Sequence, residues 1–188
     1  MKTGWIVIGV VVLAALVLGS SLMGSRNELV TERENYKAAF QQVDVDLQRR
    51  LDLIPNLVAT VKGFAAQEKE IMESIANARS AMMGAKTPAE RIAGNSQLDS
   101  ALSRLLVVVE NYPQLKSNEN FLRLQDDLSG TENRIAISRR RYNEAVQRYN
   151  IDIELFPKNI AASLFGFKHE DAYFSADAAA KQAPKVVF

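Results

Sequence analysis

Apolar residues recur at every seventh position along two long stretches of this 188-residue chain. One series runs Phe40, Leu47, Ile54, Val61, Ile75 and Met82, and the other Phe121, Leu128, Ile135, Tyr142, Tyr149 and Phe156. A seven-residue repeat is two slightly underwound helical turns, so each series keeps one stripe turned toward a partner helix. A second row at Tyr36, Val43, Leu57, Phe64, Ile71 and Ala78 stands three or four positions away and widens the first face. No strand pattern competes with these ladders. The spacing predicts an all-α fold of long packed helices.

Ahead of the ladders, Thr3 to Ser25 carries no charged side chain. That run is about 23 residues long, and a helix needs roughly 20 to cross the hydrocarbon core. Trp5 stands at one edge, where an amphipathic ring favours the headgroup layer. A secretory signal peptide is the competing reading, since Lys2 supplies a basic start and Gly19 and Ser21 a small-residue cleavage site. The run outlasts a signal core of about 7–15 residues, which favours a retained anchor. Lys and Arg counts (Lys2 before the span; Arg26, Arg33 and Lys37 after it) put the body in the cytoplasm by a small margin.

About 160 residues follow, enough for one domain with a sizeable core. A net charge of +1 gives no bulk attraction to nucleic acid, and the absence of cysteine excludes a disulfide framework.

The first ladder predicts one helix from near Arg26 to Met82, kinked at Pro55, whose missing N–H removes a helical hydrogen bond. Gly84-Ala85-Lys86-Thr87-Pro88 breaks it, and Thr87 with Glu90 forms a capping box for a shorter helix to about Val109. Asn111-Tyr112-Pro113 ends that helix, and Ser117 caps the last long one. Gly130 costs it about 1 kcal/mol, too little to break the pattern. A short helix from Ile160 to Phe165 closes at Gly166.

Candidate chemistry is sparse. His169, with Glu170 and Asp171 beside it, finds no second His or Cys to complete a zinc set. Asp44 and Asp46, like Asp126 and Asp127, point in different directions on a helix, which does not suit paired acid–base work. With no reactive His in the body there is no triad to build. Arg139, Arg140 and Arg141 fan around a helix, while Arg134, Arg141 and Arg148 line one edge of the second ladder and suit pairing with a neighbouring helix. Arg50 and Glu68 fall where the stripe should be apolar, so each needs a partner or a route to water. Glu68 is expected to be buried, and the long stem of Arg50 to carry its charge to solvent near Pro55. The closing Val186-Val187-Phe188 alternates as a ligand for a strand-addition pocket does, though packing on the body is the plainer account.

Longer words in the chain resemble the LemA family. They are Asp46 to Val58 (DLQRRLDLIPNLV) with Val61-Lys62-Gly63-Phe64, Glu110 to Phe121 (ENYPQLKSNENF), Arg141 to Val146 (RYNEAV), Phe156-Pro157 and Phe165-Gly166-Phe167. The resemblance extends from Asn27 to Phe188 and implies a bacterial envelope protein with an N-terminal membrane segment and a helical body. Some relatives begin with a lipoprotein signal and others carry a cytoplasmic body, so the side of the body stays open.

The expected architecture is a transmembrane anchor (1–25), a bundle of long antiparallel helices (26–167), about four in all, and a C-terminal tail (168–188) that packs only in part. An unbroken first soluble helix would run about 85 Å, with the helix after Pro88 covering about a third of it, so a second copy is expected on the remainder. The expected function is a single-pass scaffold or interaction protein of the bacterial cytoplasmic membrane, self-associating and without catalysis, cofactor or metal. Its expected partners are the lipid bilayer, further copies and an envelope protein, not nucleic acid. The alternative is an accessory subunit or adaptor of an envelope protease or signalling enzyme.

Overall fold

The computed structural model describes residues 2–175, with side chains from Gly4 onward. Among these residues there are six helices and no strand: α1 (Lys2–Phe64), α2 (Lys69–Gly84), α3 (Pro88–Val109), α4 (Pro113–Lys116), α5 (Glu119–Glu154) and α6 (Lys158–Phe165). They divide into two compact units. The first takes α1 up to Ala39 and the chain Tyr142–Asp171; the second takes Phe40–Arg141 and the residues from Ala172.

α1 runs through Pro55, which lies exposed within it, and ends at Phe64. The single helix expected to reach Met82 is therefore broken. Ala65 N–H donates to the Val61 carbonyl (2.8 Å) and Glu68 N–H to the Ala65 carbonyl (3.1 Å), so the chain turns before α2 begins. The ladder hides this turn because Val61 and Ile75 are both buried, in different helices, and the intervening heptad place, Glu68, is the turn itself.

Thr87 caps α3. Its hydroxyl accepts from Glu90 N–H and the Glu90 carboxylate accepts from Thr87 N–H, both at 3.2 Å, with Pro88 in the first turn. Lys86 N–H also reaches that carboxylate (2.6 Å), and these backbone donors hold Glu90 below its ordinary pKa of 4.5. α3 crosses α2 closely at Gly94, where an added Cβ would stand 2.9 Å from Met82 Cγ and 3.3 Å from Met82 N. A methyl group there would push two buried backbones apart, an overpacking cost of about 1–3 kcal/mol.

Between α3 and α5 the chain makes an extra turn, α4, which the sequence pattern did not suggest. It takes up Ser117 as its C-cap, so the expected cap of the long helix shifts by one residue. Asn118 Oδ1 accepts from both Asn120 N–H and Phe121 N–H at 3.1 Å and starts α5.

In the second unit, Leu47, Leu51, Ile54, Leu57 and Val61 of α1 are buried, as are Ile75 and Met82 of α2, Leu98 and Leu105 of α3, and Phe121 and Ile135 of α5. The first unit has a smaller core of Leu29, Tyr149, Ile153, Ala161 and Ala162, with Leu22, Tyr36 and Phe167 packed on it. α6 closes at Gly166, whose φ of 72° is the left-handed conformation that glycine adopts without strain.

Candidate functional site

Arg50 is the polar residue at the centre of the second unit. Its neighbours on α1, Leu47, Leu51 and Ile54, face the core and turn Arg50 inward with them, leaving it 6% exposed. Solvent escape near Pro55, expected from the sequence, does not occur, because carboxylates from two other helices meet the guanidinium first. Nη1 donates to Asp99 Oδ1 (2.5 Å) and Asn95 Oδ1 (3.2 Å) on α3 and lies 3.0 Å from Glu132 Oε2 on α5. Asn95 Nδ2 donates to Asp99 Oδ2 (2.8 Å), and Arg139 Nη2 approaches the same oxygen at 3.4 Å. The Arg139 guanidinium also covers the Phe174 ring, 5.2 Å from its centre.

Two cations thus face two anions, and the formal charges cancel. A balanced cluster of this kind ties three helices in register and leaves no surplus charge to attract a ligand. The same helices are joined nearby by Ser138, whose hydroxyl donates to the buried Asp46 carboxylate, and by Arg91 Nε, 3.1 Å from Asp44 Oδ1. Beside Arg50 lies an open groove of about 480 Å³. Leu57, Leu102, Leu105, Phe121 and Leu128 form its apolar walls, and Asp99, Glu132 and Arg139 its polar edge. Such a groove can seat an apolar side chain or a helix edge.

Glu68, the other polar position of the ladder, is not in a helix seam. It is the half-buried N-cap residue of α2, where Tyr112 O–H donates to its Oε1 (2.7 Å) and Gln67 Nε2 donates to the Tyr112 oxygen (2.8 Å). The Glu68 carboxylate holds the Tyr112 hydroxyl above its ordinary pKa of 10.0.

The first unit is organised differently. Tyr149 O–H donates to the Lys168 carbonyl (2.9 Å) and its ring packs on Tyr36, 5.0 Å between centres. Asn150 grips the backbone of Glu170 twice, donating to its carbonyl (2.8 Å) and accepting from its N–H (3.0 Å). His169 lies within the packed part of the tail, its Nε2 2.9 Å from Glu154 Oε1. Arg26 and Arg33 cover the rings of Phe165 and Phe167, at 5.4 and 5.3 Å. Lys158 Nζ joins Asp152 Oδ2 (2.8 Å) to Glu28 Oε2 (2.9 Å), and these carboxylates, Asp152 foremost, raise its pKa above 10.5. Burial raises Tyr36 and Tyr149 above 10.0.

The remaining ladder residues divide. Tyr142 and Tyr149 are buried, whereas Phe40 and Leu128 are half-buried. Phe156 is 79% exposed, which removes it from the seam: α5 ends at Glu154, so the helical period that placed it inward no longer applies. Arg134, Arg141 and Arg148 are exposed, and Arg139 is the member of the basic triplet that reaches another helix. Val186, Val187 and Phe188 lie outside the described residues. Sequence reasoning missed Asn95, Asp99, Glu132 and Asn150. The only local signal was the i,i+4 spacing of Asn95 and Asp99, which also suits an exposed helix face.

Among the described residues, no group of three or more His, Cys, Asp or Glu side chains is placed to hold a metal ion. α1 contains the one stretch among them that is long and apolar enough to cross a membrane. Every large apolar side chain in it from Trp5 to Leu18 is more than half exposed.

Residues 39–188 match the model of the LemA family. The magnetosome protein MamQ 1 of Paramagnetospirillum magneticum is 29% identical over 189 residues, covering 87% of this chain and 69% of that protein. MamQ of Magnetospirillum gryphiswaldense is 27% identical, with 90% and 71% covered. Protein LemA of Metamycoplasma hominis is 26% identical over 144 residues, with 74% and 64% covered.

Proposed function

Because this chain belongs to the LemA family, a family of membrane-associated helical proteins, we propose that it is a single-pass scaffold of the bacterial cytoplasmic membrane, self-associating and without catalysis. The reading is carried by the run from Trp5 to Leu18, whose apolar side chains nothing else among the described residues covers. Exposed apolar surface of that length costs too much in water to be left there, and a bilayer covers it without further folding. The body supports the scaffold half of the reading. The buried Arg50 is neutralised by Asp99 and Glu132, and the buried Asp46 carboxylate is held by Ser138. The magnetosome relatives are named for a cellular structure and not for a reaction.

Self-association draws on two surfaces. The groove beside Arg50 is open to solvent and has Leu106, 47% exposed, among its lining residues. Ala15 and Gly19 form a small-xxx-small pair on the exposed span, with open space around Gly19, and such pairs let two helices approach closely. The test is the mass of the full chain in lipid nanodiscs and after cross-linking in native membrane. An assembly larger than one chain is expected. A strict monomer in both would overturn the scaffold and leave the adaptor alternative.

A further inference from the structure

α6 and the residues leading into it present an apolar stripe that their own unit leaves uncovered. Ile160 and Leu164 stand four residues apart on one side of α6, 49% and 66% exposed, and Phe156, just ahead of the helix, is 79% exposed. Ala161 and Ala162, on another side of α6, are in the core with Leu29. Asn159 and Ser163 occupy the remaining arc, so the exposed surface has one apolar edge and one polar edge.

Two contacts fix how α6 meets α1. Lys158, at its start, reaches Glu28, while Phe165, at its end, lies under Arg26. Seven residues of α6 cover about 10 Å, whereas Arg26 and Glu28 differ by only about 3 Å along α1 and point to opposite flanks of it. α6 therefore meets α1 over a short stretch that begins at Arg26, the first charged residue after the apolar run, which is where a spanning α1 leaves the hydrocarbon.

From this placement we infer that α6 is an interfacial helix. It lies in the plane of the bilayer surface, its Ile160–Leu164 stripe reaching the boundary between headgroups and acyl chains, with Asn159 and Ser163 toward water. The occupant of the stripe is lipid, because α6 ends with Phe165 under Arg26, the first charged residue after the uncovered span, and one bilayer covers both. The inference rests on the proposal that α1 spans the membrane.

The chain has no cysteine, so single labels can be placed without removing any. Ile160→Cys and Leu164→Cys, both at exposed positions, are compared with Leu13→Cys in the span and Gln97→Cys on the exposed side of α3. Each full-length variant carries a fluorophore in vesicles of phosphatidylcholine and phosphatidylglycerol. Quenching is read with aqueous iodide and with lipid nitroxides placed high or low on the acyl chain. Labels at 160 and 164 should be quenched mainly by the high nitroxide and be several-fold less accessible to iodide than the label at 97. The label at 13 should respond to the low nitroxide. Iodide access at 160 and 164 equal to that at 97, with 13 still protected, would overturn the interfacial helix and leave the anchor standing. Protection from iodide without nitroxide quenching would also overturn it, since protein and not lipid would then cover the stripe. Iodide access at 13 would remove the anchor and the inference together.

Discussion

Around Arg50, one buried and three partly exposed charges from three helices are cancelled against each other, while around Tyr149 the buried polar atoms are handed to backbone. Asp99 and Glu132 answer Arg50 with charge; the Lys168 carbonyl and both backbone groups of Glu170 answer Tyr149 and Asn150 with neutral hydrogen bonds. The two solutions fail differently. A neutral pair that loses one member leaves an amide or hydroxyl unsatisfied. An ionic cluster that loses one member leaves a net charge in the core.

The largest expected effect follows from that difference. Arg50→Ala strands Asp99 beside Asn95 and should cost about 3–5 kcal/mol. Site-resolved hydrogen exchange should show the loss in α2, α3 and the first part of α5, with residues 142–171 little changed. Equal loosening in both units would erase the distinction. Asn150→Ala should cost less, about 1–3 kcal/mol, because it leaves two backbone groups of Glu170 to find water. Here the exchange should quicken at residues 168–171 and leave α3 alone.

Alkali acts on both units, since Tyr112 of the second also holds its proton above the ordinary value, but most of the raised groups lie in the first. Tyr36, Tyr149 and Lys158 all hold their protons more tightly in the folded state than their ordinary values of 10.0 and 10.5. The folded state then binds more protons than the unfolded one above about pH 10, so stability is full below that and falls as pH rises through the raised values. Thermal unfolding by near-ultraviolet circular dichroism should show the midpoint dropping above about pH 10, and less steeply in Tyr149→Phe. An identical slope in that variant would mean that Tyr149 is not held in its neutral form. The smallest effect is Phe156→Ala. An exposed side chain past the end of α5 should change denaturant unfolding in detergent by under about 0.5 kcal/mol, where a seam residue would have cost about 3–5.

The parts of this fold that could be read from the sequence are those encoded within a few residues. Thr87, Pro88 and Glu90 announce the start of α3 because every partner of the capping box lies within one turn. Gly166 announces the end of α6 for the same reason. The break after Phe64 was not read, since Ala65-Ala66-Gln67-Glu68 contains no Pro or Gly and the heptad resumes in register at Ile75, with Glu68 alone out of pattern. The site was half legible. Arg50 was conspicuous as a charge on an apolar stripe, but Asp99 lies 49 residues away and looks like any exposed helical carboxylate until α3 is packed. Glu68 was conspicuous for the same reason, and there the period misled: its partner, Tyr112, meets it at a turn and not across a helical face.

The division of the chain also sets an order of events during synthesis. The first unit is discontinuous: it needs residues up to Ala39 and then nothing until Tyr142, and the whole of α2, α3 and α4 lies in between. A ribosome adds about 5–20 residues per second, so the N-terminal half of this unit waits about 5–20 s for its partner strand of chain. During that interval Leu29 and Tyr36 have neither Tyr149 nor Ala161 to pack on. The intervening residues contain nearly all of the other unit, whose contacts close shorter loops and so form sooner. The nascent chain is thus expected to complete its ionic core before it closes its aromatic one, with the earliest residues made among the last to be enclosed.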